Sequence, residues 1–304
     1  MHLFRHSVTA LTAVAACLIL AAAAQAQTPR APHPLEPKGA TGEAIWPAYE
    51  SWSRNADGTL TLVLGYMNRN DEVVEIPIGP DNTMGPGNPD KGQPTHFLPG
   101  RHIGVFSVKV TEEEAERKLT WTVRVNNQPT EIAFWQNPPY FGDPLLDAAN
   151  GNTPPVLRLG PSGDELSGPT PEVAASYTTT VGEPLTLLAS ATDIPIGGAS
   201  RAGDGDDDDS PRRRPRRAPL SVTWKKYRGP GEVTFQAEGI DEGEELTHSF
   251  DEIAGGETMT TVTFSEAGQY RLMVVGNDST IAAGEGSSRQ CCWTTAHVDV
   301  TVNP

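Results

Sequence analysis

Between Thr258 and Asp278 the chain alternates apolar and polar residues on both sides of a short turn, Ser265-Glu266-Ala267-Gly268. Val262 and Phe264 fall on one face of the first run, opposite Thr261 and Thr263, and Tyr270, Leu272 and Val274 share a face of the second. A period of two sustained over both arms predicts an antiparallel strand pair with one buried face. The same alternation recurs along the chain. Leu60, Leu62, Leu64 and Tyr66 predict a strand after the turn signal Asp57-Gly58, and Val74, Ile76 and Ile78 predict the next one, ending at Gly79-Pro80. Strands are expected again over 103–110 and 119–125, where Leu119, Trp121, Val123 and Val125 share one face. Later, Leu185, Leu187 and Ala189 face inward, 220–226 carries Trp224 inward, and Val233-Thr234-Phe235 follows Gly229-Pro230-Gly231. Ala296, Val298, Val300 and Val302 close the chain, with His297, Asp299 and Thr301 on the other face. The class expected is all-β, as two β-sandwich-like domains.

The punctuation between these runs sets the organisation. A signal peptide is expected over 1–26, where Arg5 precedes an apolar run and Ala24-Gln25-Ala26 offers a small-x-small cleavage pattern. Cys17, after Val14-Ala15-Ala16, offers a lipoprotein alternative. A Pro-rich tether at 27–43 leads into an N-terminal all-β domain at 44–135, and a Pro-rich linker at 136–170 joins it to a C-terminal β-sandwich at 171–304. The apolar residues of that linker, among them Val156 and Leu157, predict that it packs against a domain. Residues 194–218 form a charged insert, in which GDGDDDD and PRRRPRR flank Ser210; such a tract cannot bury a core and is expected to be solvated. The stretch 80–100 is a long loop, expected to be either disordered or functional.

Charge narrows the function classes. The chain has 39 acidic and 23 basic residues, a net charge of −16. Such a balance repels nucleic acid and anionic lipid headgroups, which excludes a role on DNA or RNA. After the leader no stretch approaches the apolar length that spans a bilayer. The protein is therefore expected outside the cytoplasm, periplasmic or secreted.

The C-terminal domain resembles bacterial immunoglobulin-like and PKD-type extracellular modules. The resemblance rests on the strand 185–191 with Asp193, on Val222-Thr223-Trp224, on Gly229-Pro230-Gly231, and on Thr263-Phe264-Ser265 through Asp278, whose Gly268-x-Tyr270-x-Leu272 order is similar to a tyrosine corner. Leu272 stands where an antibody domain places its second inter-sheet cysteine, so the core disulfide of that branch is absent. The mature chain also resembles a family of exported bacterial proteins of unknown function. There the shared residues are Gly65-Tyr66-Met67-Asn68-Arg69-Asn70, Gly92-Gln93-Pro94-Thr95-His96-Phe97, Asp147-Ala148-Ala149-Asn150-Gly151-Asn152 and Gln290-Cys291-Cys292-Trp293. Modules of this kind space, adhere or bind, so the resemblance implies a protein or polysaccharide partner outside the cell.

Candidate chemistry is sparse. Cys291 and Cys292 are adjacent, and an oxidising compartment leaves a vicinal disulfide, two buried thiols or intermolecular bridges open. Trp293 beside them is a binding candidate. Cys291 and His297, if extended, lie ~20 Å apart at ~3.3 Å per residue, too far for one metal ion. His96 and His102 flank the turn Pro99-Gly100 and are binding candidates, although two histidines fall short of a complete metal site. Asp204, Asp206 and Asp208 offer the hard oxygens calcium prefers, without the spacing of a helix-loop-helix calcium site. Acidic residues at 241–245 read as a solvated loop. The chain carries no Gly-x-Ser-x-Gly elbow, His-Glu-x-x-His, phosphate-cradling loop or dinucleotide fingerprint. The expectation is an exported, non-catalytic binding or scaffolding protein of the bacterial cell envelope or exterior. Its alternatives are a carbohydrate-binding protein, and a metal- or redox-active one using the His96/His102 loop or the cysteine pair.

Overall fold

A computed structural model describes residues 41–115, 117, 119–134, 153–194, 220–278 and 292–304. The leader, most of the tether, Asp204, Asp206, Asp208 and Cys291 lie outside the described residues, and so do the calcium and leader expectations that rest on them.

The chain is all-β and buries two cores. In the N-terminal half, β1 (Ile45–Arg54), β2 (Leu60–Asn68) and β6 (Gly100–Val110) form one antiparallel sheet in the order β1-β2-β6. A second sheet, β4-β7-β8, is made by β4 (Asn82–Gly85), β7 (Leu119–Val125) and β8 (Gln128–Phe134). Two short strands, β3 (Val74–Glu75) and β5 (His96–Phe97), pair with each other. The alternation in 119–125 appears as written, with Leu119, Trp121, Val123 and Val125 buried and the residues between them half-buried. Phe106 meets Trp121 edge-on at 5.1 Å, and Tyr66 meets Phe97 edge-on at 5.0 Å, geometries that suit aromatic quadrupoles. β7 turns into β8 through Asn126 and Asn127, both at positive φ (47° and 60°), as a two-residue hairpin loop requires. A single-turn helix α1 (Glu112–Ala115) follows β6, capped reciprocally by Thr111 and Glu114.

Among the described residues the C-terminal half is a sandwich of eleven strands. One sheet has the order β10-β9-β12-β17-β14-β15, the other β11-β19-β18-β13-β16. Their ranges are β9 (Val156–Leu159), β10 (Glu165–Ser167), β11 (Val173–Thr180), β12 (Leu185–Thr192), β13 (Leu220–Arg228), β14 (Val233–Ala237), β15 (Ile240–Gly243), β16 (Glu245–Phe250), β17 (Gly256–Phe264), β18 (Gly268–Asp278) and β19 (Trp293–Asn303). Val262, Phe264, Tyr270, Leu272 and Val274 are all buried between the sheets, with Trp224 among them.

Three expectations change. β17 and β18 are not paired with each other: β17 lies in the six-stranded sheet and β18 in the five-stranded one. The turn between them carries the chain across the sandwich, and alternation looks the same whether two strands pair or face each other over a core. Second, the described part of the segment read as a linker supplies β9 and β10, with β9 antiparallel to β12. Third, of the acidic residues at 241–245, Asp241 and Glu242 fall on β15 and Glu245 on β16, strands of opposite sheets, with Glu244 between them.

The tyrosine corner is present. Tyr270 Oη donates to the Glu266 carbonyl (2.9 Å) and accepts the Gly231 N–H (3.0 Å). The ring lies so close to Gly229, at φ 139°, that a Cβ there would sit 2.1 Å from it. Only glycine permits both the conformation and the approach.

Candidate functional site at the junction of the two cores

The site is built where the outer face of the five-stranded sheet meets the N-terminal half. Tyr227 of β13 and Met273 of β18 point away from their own sandwich and complete the N-terminal core. The stretch 80–100 is ordered around buried amide side chains. Asn82 Nδ2 donates to the carbonyls of Ile76 (3.0 Å) and Pro94 (2.7 Å), while its Oδ1 accepts the Trp121 indole N–H (3.0 Å). Gln93 spans its own turn, from Nε2 to the Pro89 carbonyl (2.7 Å) and from the Lys91 N–H to Oε1 (2.9 Å). These bonds satisfy backbone groups that a chain without regular structure would otherwise leave buried and unpaired.

So shaped, the loop docks on β13. Arg228 donates two hydrogen bonds to the Asp90 carboxylate (3.0 and 2.8 Å) and further ones to the Gln93 carbonyl. Tyr227 Oη donates to the Gly92 carbonyl (2.5 Å). Burial pushes the Asp90 carboxyl up, but the Arg228 fork and the Gly92 N–H outweigh it and hold the group below the usual range. On the same strand, Lys226 Nζ lies 2.8 Å from Glu75 Oε1, and His96 Nδ1 lies 2.6 Å from that same oxygen. Burial alone would raise the Glu75 pKa; His96 and Lys226 together bring it below the ordinary value.

At the other end of the junction Trp293 packs on the backbone of β6. Its indole occupies the place a Cβ on Gly104 would take, at 2.0 Å, and Gly104 sits at φ 61°. Thr295 Oγ1 donates to the Gly104 carbonyl (2.8 Å), and Ser107 Oγ donates to the Pro169 carbonyl (3.2 Å). Trp293 is therefore interface filling rather than an open ring. Cys292 is buried and disulfide-bonded, and its partner lies outside the described residues.

The two histidines singled out by the sequence have separate partners. His96 is buried against Glu75, whereas His102 lies on the face of Tyr66 (4.9 Å) with Nε2 3.0 Å from the Pro99 carbonyl. Burial, foremost, lowers the His102 pKa. Among the described residues no group of three or more His, Cys, Asp or Glu side chains is arranged to hold a metal ion.

At the Glu75–His96–Lys226 cluster opens a groove of about 310 Å³, lined also by Val73, Pro230 and Val233 and by Glu232, Glu244 and Glu266. Glu75 holds one imidazole nitrogen of His96, while Nε2 has no hydrogen bond among the described residues. No serine, threonine or cysteine lines this groove. It offers hydrogen bonds and negative charge. Glu75 and Lys226 were not legible as partners, being 151 residues apart. The available signal was Lys225-Lys226-Tyr227-Arg228, three cations on one strand of an acidic chain.

No protein-family model matches the chain, and no curated protein does. Among solved structures, domains 4 and 5 of the S-layer protein SbsC align at 13% identity and a TM-score of 0.22, covering 87% of this chain and 100% of that one. The D0-D1 domain of intimin aligns at 7% identity and a TM-score of 0.22, covering 86% and 98%. CfaE, the adhesive subunit of the CFA/I fimbria of enterotoxigenic Escherichia coli, aligns at 9% identity and a TM-score of 0.24, covering 88% and 81%. Likeness at this level assigns no activity to the chain. Among the described residues no helix is long and apolar enough to cross a membrane.

Proposed function

We propose that this chain is an exported, non-catalytic binding or scaffolding protein of the bacterial cell envelope or exterior, with a protein or polysaccharide partner outside the cell. The observation that carries this reading is the clamp of Arg228 and Tyr227 on the 80–100 loop. A loop long enough to serve as a lid or a catalytic arm is instead spent on fixing one β domain against the other. That use suits a spacer or an adhesive module better than an enzyme that must open and close. The acidic groove at Glu75, His96 and Lys226 is the binding face this reading favours, because its carboxylates attract cationic or hydroxyl-rich groups.

The test uses the purified protein and isolated bacterial envelopes, either untreated, stripped of protein by protease, or reduced to their polysaccharide. Retention on the untreated envelope alone identifies a protein partner, and retention on the polysaccharide identifies the carbohydrate-binding alternative. Release of soluble sugar or peptide fragments over time overturns the non-catalytic reading, and retention on none of the three overturns binding.

A further inference from the structure

β19 has two buried faces. Ala296, Val298, Val300 and Val302 enter the sandwich core, while Trp293, Thr295 and His297 enter the junction with β6. His297 is 5% exposed. Its ring lies 4.5 Å from that of Tyr227, and it hydrogen-bonds the backbone of Val105. Nε2 is buried without a hydrogen-bond partner, so the ring sits there as a neutral imidazole.

The charged groups around it give an imidazolium nothing to bind. β13 contributes Tyr227 and Arg228, and β18 contributes Arg271. Asp299, on the same strand as His297, is engaged by Arg271 through two hydrogen bonds (2.7 and 3.0 Å). Asp90, from the docked loop, is engaged by Arg228. From β6 the Val105 backbone is the group that His297 meets.

We propose that the junction is an acid-operated latch, in which protonation of His297 parts β19 from β6 and frees the N-terminal half from the outer face of the five-stranded sheet, exposing Tyr227 and Met273 while the sandwich core and the rest of the N-terminal core persist. A positive charge in this slot would be desolvated, would face two guanidiniums, and would lack an acceptor at Nε2. Burial, then Arg271 and Arg228, hold the His297 pKa at about 3, against 6.5 for a free histidine. The closed junction thus refuses a proton that the open one accepts. Between those two values the open population rises roughly tenfold for each unit of falling pH. Glu75 and Asp90 do not release the junction first, since their partners keep both carboxyls below the usual range.

The experiment is hydroxyl-radical footprinting of the full chain at pH 7 and pH 4.5, read by mass spectrometry. Trp293 and Met273 report the junction, and Trp121 and Trp224 report the two cores. Trp293 and Met273, 5% and 6% exposed in the closed junction, are expected to gain oxidation by up to roughly tenfold relative to the core tryptophans, two pH units below the free-histidine value. His297→Gln should remove that gain. Retention of the gain in the variant overturns the proposal. So does equal loss of protection at all four residues, or no change at Trp293. Those last two outcomes are read on the unmodified protein, so the test stands even where the variant does not fold.

Discussion

Arg228, at the end of β13, holds Asp90 of the 80–100 loop through two parallel hydrogen bonds, across 138 residues of sequence. This contact joins a loop of one domain to a strand of the other. A planar fork matched to a carboxylate gives direction as well as charge, which a lysine does not supply.

Arg228→Lys is therefore expected to weaken the junction almost as much as Arg228→Ala. Each should cost about 1.5–3 kcal/mol, the usual range for charge-assisted hydrogen bonds that are partly buried. Urea unfolding of both variants and of Asp90→Ala measures this, and a double-mutant cycle isolates the pair. A cycle energy near zero would show that the fork contributes nothing.

Gly104→Ala should be among the most damaging single changes. Its Cβ would lie 2.0 Å from the Trp293 indole, on a backbone at φ 61°. Left-handed strain and overpacking together predict a loss of about 2–4 kcal/mol. Thermal unfolding measures the loss, and a blue-shifted Trp293 emission that persists in the variant would contradict displacement of the ring.

Tyr270→Phe removes one hydroxyl that serves two backbone groups, the Gly231 N–H and the Glu266 carbonyl. The ring and its packing remain, so the change isolates the hydrogen bonds. A loss of about 1–3 kcal/mol is expected, because a buried N–H is left without an acceptor. Amide exchange at Gly231 should speed up in the variant; unchanged exchange there would show that another acceptor had moved in.

Asp193, just past the end of β12, and Asp278, the last residue of β18, interact through their carboxyls. Burial first, then Asp278, pushes the Asp193 pKa up to about 6. The sign is opposite to that of His297. A carboxyl whose pKa is raised on folding stabilises the fold while protonated, and that contribution fades as pH climbs from about 4 through 6. Asp193→Asn should then be more stable than the parent at pH 7.5 by about 1–2 kcal/mol, discounting for partial solvent screening, with little difference at pH 4. Stability curves for the two proteins at the two pH values decide it, and a variant that is less stable at pH 7.5 would refute the raised pKa.

Much of the fold was readable from spacing. Leu119, Trp121, Val123 and Val125 could be assigned to one face because a strand repeats every two residues, and Trp224 could be placed inward for the same reason. The corner at Tyr270 was legible because Gly268 and the turn before it are local, although Gly231, which donates to the hydroxyl, lies 39 residues away. The polar face of β19 was a different matter. His297 looks like a solvent-facing residue by parity, and it is buried because a second domain covers that face. Parity separates the two sides of a strand but does not say what lies beyond either of them. His96 and His102 illustrate the same limit: a shared turn suggested proximity, but their neighbours Glu75 and Tyr66 come from elsewhere and give each histidine a different role.

By itself, the sequence determined the class of element, the inward residues of each strand, and the turns that glycine and asparagine make possible. Those are consequences of backbone sterics and of the two-residue repeat, which act over a few residues. Only the tertiary structure decided that β17 and β18 belong to opposite sheets, that the 80–100 loop is a docking element, and that Arg228, Lys226 and His297 meet the N-terminal half. These contacts link residues far apart in the chain, and their energy comes from complementary charge, shape and shared burial, none of which leaves a periodic trace in the order of residues.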